Sequence, residues 1–458
     1  MIADLTKQLA AALRRIEAQD LVIAELRERL NQNSQNSSKP PSSDPPSLPP
    51  KPPQAKTGRK PGGQPGHKGH QRMLLPVDER NVRNVVPAHC RGCGTRLKGV
   101  DSAPFRHQVV EVPEPKPEVH EWRLHSLQCG CGTTTRAELP AGVPRGNFGP
   151  RLVATTALLS GAYRLSKRLV VSILANLHGI PISPGSVTAC ERMASEAVSA
   201  PVEEAREYVK QQPVKHADES SWAEGPGRDT AWLWVATTPL VTVFLIWASR
   251  GKDVAQRMLG EVYGVLVSDR WCAYSWWPTK RRQLCWAHIK RHFQAMIDAG
   301  GEAAVIGESL QERRVRLFHH WGGVRDGTLS RASFRTYVSD IRCDIRTLME
   351  QGRACNHKQT ATTCRELLKL EAAMWTFARI EGVEPTNNHG ERAIRPGVIW
   401  RKLSFGTHSQ SGSRFVERIL TVVYTLKQQK RNPLTFMFEC VAARMNGNPT
   451  TESLLPSA

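Results

Sequence analysis

Three acidic residues stand in settings that could do chemistry: Asp218 in KHADESSW, Asp269 in VLVSDRWCAY and Glu391 in TNNHGERAIRP. Carboxylate oxygens are the hard donors that Mg²⁺ or Mn²⁺ prefers. Two such ions held close together can stabilise both the attacking and the leaving oxygen of a phosphodiester. Glu391 also has a plainer reading. Asn388 three residues earlier makes a capping-box spacing, and many glutamates there do nothing else. Yet on a helical wheel Glu391 shares a face with Ile394 and Val398, with Arg395 one turn away, which a solvated cap does not need. Pro396 should bend or restart that helix.

A second constellation is Cys90-Arg-Gly-Cys93-Gly and, after 35 intervening residues, Cys129-Gly-Cys131-Gly. Four thiolates in two glycine-bearing turns match a closed, structural Zn²⁺ site, with His89 and His125 as nearby substitutes; four free thiols are the alternative. The intervening FRHQVVEVPEPKPEVHEWRLHSLQC alternates apolar residues and reads as strands.

The acidic residues need elements to position them. VKHADESSWAE, TAWLWVATT and LVTVFLIWAS read as three strands, followed by a helix (KDVAQRMLGEVY), strands in GVLVSDRW and RRQLCWAH, and a helix in IKRHFQAMI. That order predicts a multidomain α/β protein whose catalytic domain, residues 213–430, is RNase H-like. Asp218 then lies on the first strand and Asp269 at the carboxyl end of the fourth, its neighbour. Residues 300–380 read as a helical insertion, and 431–458 as a C-terminal helix and tail. Thr386 to Arg431 carries nine Lys or Arg against two acids. Arg401, Lys402 and Arg414 among them could hold a DNA backbone, or could line a solvated helix face.

Upstream, residues 146–212 read as helical. HGIPIS ends in Ser183, an N-cap, with Pro184 at the first helical position, so the outline is that of a helix-turn-helix. Its second helix offers Arg192 to DNA but also Glu191 and Glu196, and a plain packing unit fits equally. The zinc-binding stretch spans residues 86–145. Residues 31–85 form a Pro/Ser/Gly-rich basic linker that cannot make a core; its Arg59, Lys60 and Lys68 could lie along phosphates or merely solubilise. Residues 1–30 carry a heptad of Ile2, Leu9, Ile16, Ile23 and Leu30, with Leu5, Ala12 and Leu26 on the alternate seam. That pattern predicts a coiled coil and a homo-oligomer, with Gln19 fixing register.

Composition agrees with a polyanionic partner: 63 Lys and Arg against 42 Asp and Glu give +21 over 458 residues. The charged N-terminus is no secretion signal, and 11 cysteines without one point to a reducing cytoplasm. The apolar run Ala231–Trp247 contains Pro239 and reads as two buried strands rather than a membrane span.

The motifs in this order resemble the large transposase of the insertion-sequence-66 family, the TnpC-type DDE transposases. Those carrying the likeness are the heptad, NQNSQNSSKPPSSD, GRKPGGQPGHKGH, the two cysteine pairs, HADES, SDRWCAY, CWAHIKRHF and NNHGERAIRP followed by RKLSFGTHSQSG. The resemblance implies that Asp218, Asp269 and Glu391 are the metal-binding triad. It further implies that Cys285 and His288 form a C-x-x-H support element, alongside Asn388, Arg392 and Arg395. A lone C-x-x-H would otherwise be core packing. SDRWCAY departs from the family in Arg270 and Trp271, where a glycine and a tyrosine are common. The implied activity is Mg²⁺-dependent cleavage and strand transfer on double-stranded DNA, at the terminal inverted repeats and the target, with accessory proteins as further partners. The alternatives are an inactive zinc-containing DNA-binding regulator and an RNase H-like structure-specific nuclease.

Overall fold

The structure, a computed structural model, describes residues 2–37, 44, 66 and 73–456. Contacts divide the chain into two units, residues 47–116 and the remainder. The boundary falls inside the 86–145 stretch expected to form one zinc-binding domain.

In the smaller unit the described residues are irregular apart from a 3₁₀ turn at Glu79–Asn81 and a tight turn at the first cysteine pair. There the Cys90 amide donates to Thr95 and Gly94 to the Cys90 carbonyl, and a bridge joins His89 to Arg96. In the larger unit β1 (Ser126–Gln128) and β2 (Thr134–Arg136) form a small hairpin around the second pair. The strands expected across 105–129 reduce to β1: among the described residues, 105–125 carry no regular element. Pro113, Pro115 and Pro117 remove donors there, and the apolar residues stay exposed.

Helix α1 (Ile2–Asn31) covers the heptad. Its seam residues Leu9, Ile16, Ile23 and Leu30 are 44–81% exposed, so the apolar stripe is left open to solvent. Helices α2 (Pro150–Ser160), α3 (Lys167–His178), α4 (Pro184–Ala197) and α5 (Ser199–Lys210) follow. The α3–α4 turn forms as the sequence implies: Gly179 adopts a left-handed conformation (φ 65°) and the Ser183 side chain accepts from the Ser186 amide. Val187, Cys190, Ala194 and Ala197 of α4 are buried, and α4 packs against α2, α14 and α15 (both defined below).

The centre is a five-stranded sheet of β3 (Val214–Glu224), β4 (Asp229–Thr237), β5 (Thr242–Trp247), β6 (Val265–Ser268) and β7 (Arg282–Leu284). Its order is β5–β4–β3–β6–β7: β3, β4 and β5 form an antiparallel meander, and β6 and β7 continue parallel to β3. The apolar run Ala231–Trp247 is thus β4, a turn at Pro239 and β5; among the described residues no helix is long and apolar enough to cross a membrane. Helix α6 (Lys252–Leu259) lies between β5 and β6. The strand expected through CWAH stops at Leu284, because α7 (Trp286–Ala299) begins immediately and the Cys285 carbonyl accepts from the His288 and Ile289 amides.

After α7 come α8 (Gly301–Arg325), α9 (Arg331–Ala354), α10 (Lys358–Lys369) and the short α11 (Glu371–Met374) and α12 (Thr376–Arg379). They build a second core around Trp286, Phe293, Trp321, Phe334 and Phe377. The chain then returns as α13 (Asn388–Ser404), α14 (Gln410–Gln428) and α15 (Pro433–Met445). Pro396 does not restart α13; it lies buried inside a continuous helix. A Cβ at Gly397 would come within 2.1 Å of Leu233 Cδ2, so glycine there lets α13 sit directly on β4.

Both edges of the sheet are closed by side chains. Along β5, Thr242, Phe244 and Ile246 amides donate to Thr425 Oγ1 (3.1 Å), Thr421 Oγ1 (3.0 Å) and Glu417 Oε2 (2.9 Å) of α14. Four helical residues rise about 6 Å and two strand residues about 6.7 Å, so helix and strand stay in step and α14 serves as a substitute strand. At β7, Gln283 accepts from the Phe377 amide (2.8 Å) and Thr376 donates to the Arg282 carbonyl (2.7 Å). Glu417 is buried and also receives Arg206 and Arg414, each at 2.9 Å. Replacing it with Ala strands two arginines and an edge amide, and should cost about 3–5 kcal/mol in urea unfolding. Thr421→Val, which removes the acceptor of the Phe244 amide and the hydroxyl's own bond to the Glu417 carbonyl, should cost about 1–3 kcal/mol.

Candidate active site

Asp218 and Asp269 meet because β3 and β6 run parallel in a register that pairs His216 with Val267. Carried two residues further, that register sets Asp218 opposite Asp269, whose charge acts on the Asp218 carboxyl. Asp269 lies one residue beyond β6, and its Oδ1 accepts from the Trp271 amide at 2.9 Å. β7 continues the row: the Cys285 amide donates to the Ser268 carbonyl at 2.9 Å, which puts Cys285 beside Asp269. His288 follows on the first turn of α7. Glu391 comes from the first turn of α13, with Oε1 3.6 Å from His288 Nδ1 and 3.8 Å from Cys285 Sγ. Cys285, His288 and Glu391 place their ligand atoms within 4.8 Å of one another.

The acids act on one another's charge. The Asp218 carboxyl is held well above the ordinary carboxylate range, by burial first and then by the negative charges of Glu219, Asp269 and Glu391. Burial lowers the His288 imidazole, opposed by Asp269 and Glu391. Burial also pushes the Cys285 thiol up to about 12. Such mutual repulsion is what a divalent cation would relieve, so the donor set fits hard cations.

One residue that sequence reasoning missed holds this corner together. The capping position belongs to Asn387, not Asn388, which is the exposed first residue of α13. The Asn387 side chain makes no cap bond. It turns inward, donating Nδ2 to the Ala217 carbonyl (2.8 Å) while Oδ1 meets His216 Nδ1 (3.0 Å). Its own amide donates to Cys285 Sγ at 3.1 Å. A Cβ at Gly390 would lie 2.7 Å from Asn387 Oδ1, so glycine is required for this approach. The doubled asparagine was the available signal, but spacing alone selects the wrong member.

A second missed group lies on the opposite face of β3. Glu219 is buried against Arg250 (2.7 Å) and the Tyr274 hydroxyl (2.5 Å). Burial first, then the charge of Asp269, raise its carboxyl to about 7. Arg282, buried beneath, donates to the Asp269 carbonyl at 2.6 Å.

The residues expected to bind DNA divide. Arg59, Lys60 and Lys68 lie outside the described residues. Arg192, Arg392, Arg395 and Lys402 are exposed and available. Arg401 is spent on Ser220 and the Ser221 carbonyl, and Arg414 on Glu417, so Arg414 is structural rather than a backbone clamp. Each zinc-candidate pair is held in its own turn: Thr95 draws the Cys93 thiol down to about 7, and Thr133 does the same for Cys131.

Glu219 and Asp218 are both raised in the folded state. Their contribution to stability is therefore full below the ordinary carboxylate range and is lost as pH rises, through about 7 for Glu219. In metal-free protein the melting temperature should fall between about pH 5 and 8. Glu219→Gln should flatten that slope, and added Mn²⁺ should raise the melting temperature more at pH 8 than at pH 5.

The family model described as "Transposase IS66 family" matches residues 145–414. A second, described as a family of unknown function (DUF6444), matches residues 1–73. A curated relative from Sinorhizobium fredii, "Uncharacterized protein y4qI", is 27% identical over 278 residues, covering 55% of this chain and 51% of the relative. The chain thus spans about half the length of that relative.

Proposed function

The chain belongs to the IS66 transposase family, and from that premise we propose that it is a DDE transposase acting on the terminal inverted repeats of its element and on target DNA. The observation that carries this is the convergence of Asp218, Asp269 and Glu391 from β3, the end of β6 and the start of α13. The strand order, an antiparallel meander extended by two parallel strands, supports an RNase H-like catalytic domain.

Asp218 and Asp269, adjacent on the sheet, and Glu391 above them would hold a Mg²⁺ or Mn²⁺ pair. Bound there, the ions would supply the positive charge that activates first water and then the freed 3′ hydroxyl and that stabilises the leaving oxygen. The chain's own part is positional. Asn387 ties the Glu391 helix to the Asp218 strand, and the amide of Trp271 orients the Asp269 carboxylate. Exposed Arg392 and Arg395 on α13 would meet the DNA backbone beside the cluster. The open stripe of α1 would pair with another copy of the chain, bringing two DNA ends together.

The test is cleavage and strand transfer on the element's terminal DNA in Mg²⁺. Asp269→Asn should lower both steps by more than about a hundredfold, since even outer partners of a metal ligand act on the ten- to hundredfold scale, while end binding persists. Equal activity would remove Asp269 from the chemistry. Cleavage without joining would make the protein a nuclease, and tight binding without either step a regulator.

We also propose Cys90, Cys93, Cys129 and Cys131 as structural Zn²⁺ ligands, each pair preset in its turn with one thiol lowered. Purified protein should carry one zinc per chain from this set, and Cys93→Ser or Cys131→Ser should each release it. Unchanged zinc content in both variants would reject the assignment.

A further inference from the structure

Glu391 faces two donors that Mg²⁺ does not favour. Its Oε1 lies 3.8 Å from Cys285 Sγ and 3.6 Å from His288 Nδ1. A tetrahedral ion with sulfur at about 2.3 Å and nitrogen or oxygen at about 2.0–2.1 Å has ligand-to-ligand edges of roughly 3.3–3.6 Å. These two edges therefore need to contract by only a few tenths of an ångström, and all three ligand atoms lie within 4.8 Å of one another. His288 Nδ1 is buried and lacks a hydrogen-bond partner among the described residues. Cys285 Sγ receives the Asn387 amide at 3.1 Å, a donor that favours the thiolate. Both ligands are anchored on regular structure, Cys285 at the N-terminal flank of α7 and His288 on its first turn.

We propose that Cys285, His288 and Glu391 form a site for a thiophilic divalent cation of the Zn²⁺ class, with the fourth position open to water. Binding forms a metal–sulfur bond and releases the thiol proton to solvent. Thiolate and imidazole favour such a cation over Mg²⁺. One consequence rests on the catalytic reading given above: Glu391 is common to both sets, so an occupied thiol site withdraws it from the magnesium cluster and switches the enzyme off.

The test uses the full-length chain with Co²⁺ as a spectroscopic substitute for Zn²⁺. The difference spectrum of wild type minus Cys285→Ser isolates this site, because other cysteines contribute to both proteins. It should show a thiolate-to-cobalt charge-transfer band at one equivalent. His288→Gln should weaken that band's apparent affinity by at least about tenfold. It also carries the comparison if circular dichroism shows that the serine variant does not fold. A wild-type spectrum indistinguishable from both variants would overturn the site. In excess Mg²⁺, one further equivalent of Zn²⁺ should suppress strand transfer, and a chelator should restore it. The cobalt band without inhibition would keep the site and overturn the switch. The band in a protein inactive with Mg²⁺ alone would reject the catalytic reading and, with it, the switch.

Discussion

The arrangement depends on one buried junction, where Asn387 joins three segments distant in sequence. Its amide reaches the Cys285 sulfur after β7, and its side chain reaches the backbone of Ala217 and the ring of His216 on β3. These are the positions adjoining Asp269 and Asp218, and the first amide bond of the following helix, Glu391 to the Asn387 carbonyl, starts α13 there. A buried, satisfied amide of this kind accepts few alternative geometries, because any shift leaves polar groups unpaired in a low-dielectric interior. Glu391 is therefore placed by hydrogen bonds that do not involve its own carboxylate.

That placement works against electrostatics. Asp218, Asp269 and Glu391 repel one another, and Glu219 adds charge from beneath the same strand. A flexible loop would relax the strain by moving apart. Here Asp218 is on β3 and Asp269 directly follows its neighbour β6, and both edges of that sheet are closed, by α14 on β5 and by α12 on β7. The helical insertion thus has a structural role at the edge nearest Asp269 and His288. Arg250, Tyr274 and Arg282 offset charge on the far face.

The basic surplus is likewise divided by the fold. Arg206, Arg401, Arg414 and Arg418 are engaged with Glu417, Ser220 and Ser221, and Ser195, holding helices to the sheet and to one another. Arg192, Arg392, Arg395 and Lys402 remain exposed. A count of charges along Thr386–Arg431 cannot separate these groups, because a guanidinium looks the same in sequence whether it reaches a phosphate or a buried glutamate.

Sequence by itself determined the order of strands and helices from β3 to α7, the two-strand reading of Ala231–Trp247 and the α3–α4 turn. Each is written in local chemistry: alternation, capping residues, glycine and proline, and short motifs. Tertiary structure decided what local chemistry cannot encode. It chose Asn387 over Asn388, because the choice depends on a strand about 170 positions away. It ran α13 unbroken through Pro396, since packing on the sheet outweighs one lost amide bond. It assigned Arg414 to Glu417 and set Cys285 and His288 against Glu391, because the Asn387 junction ties the start of α13 to residues far away in the chain.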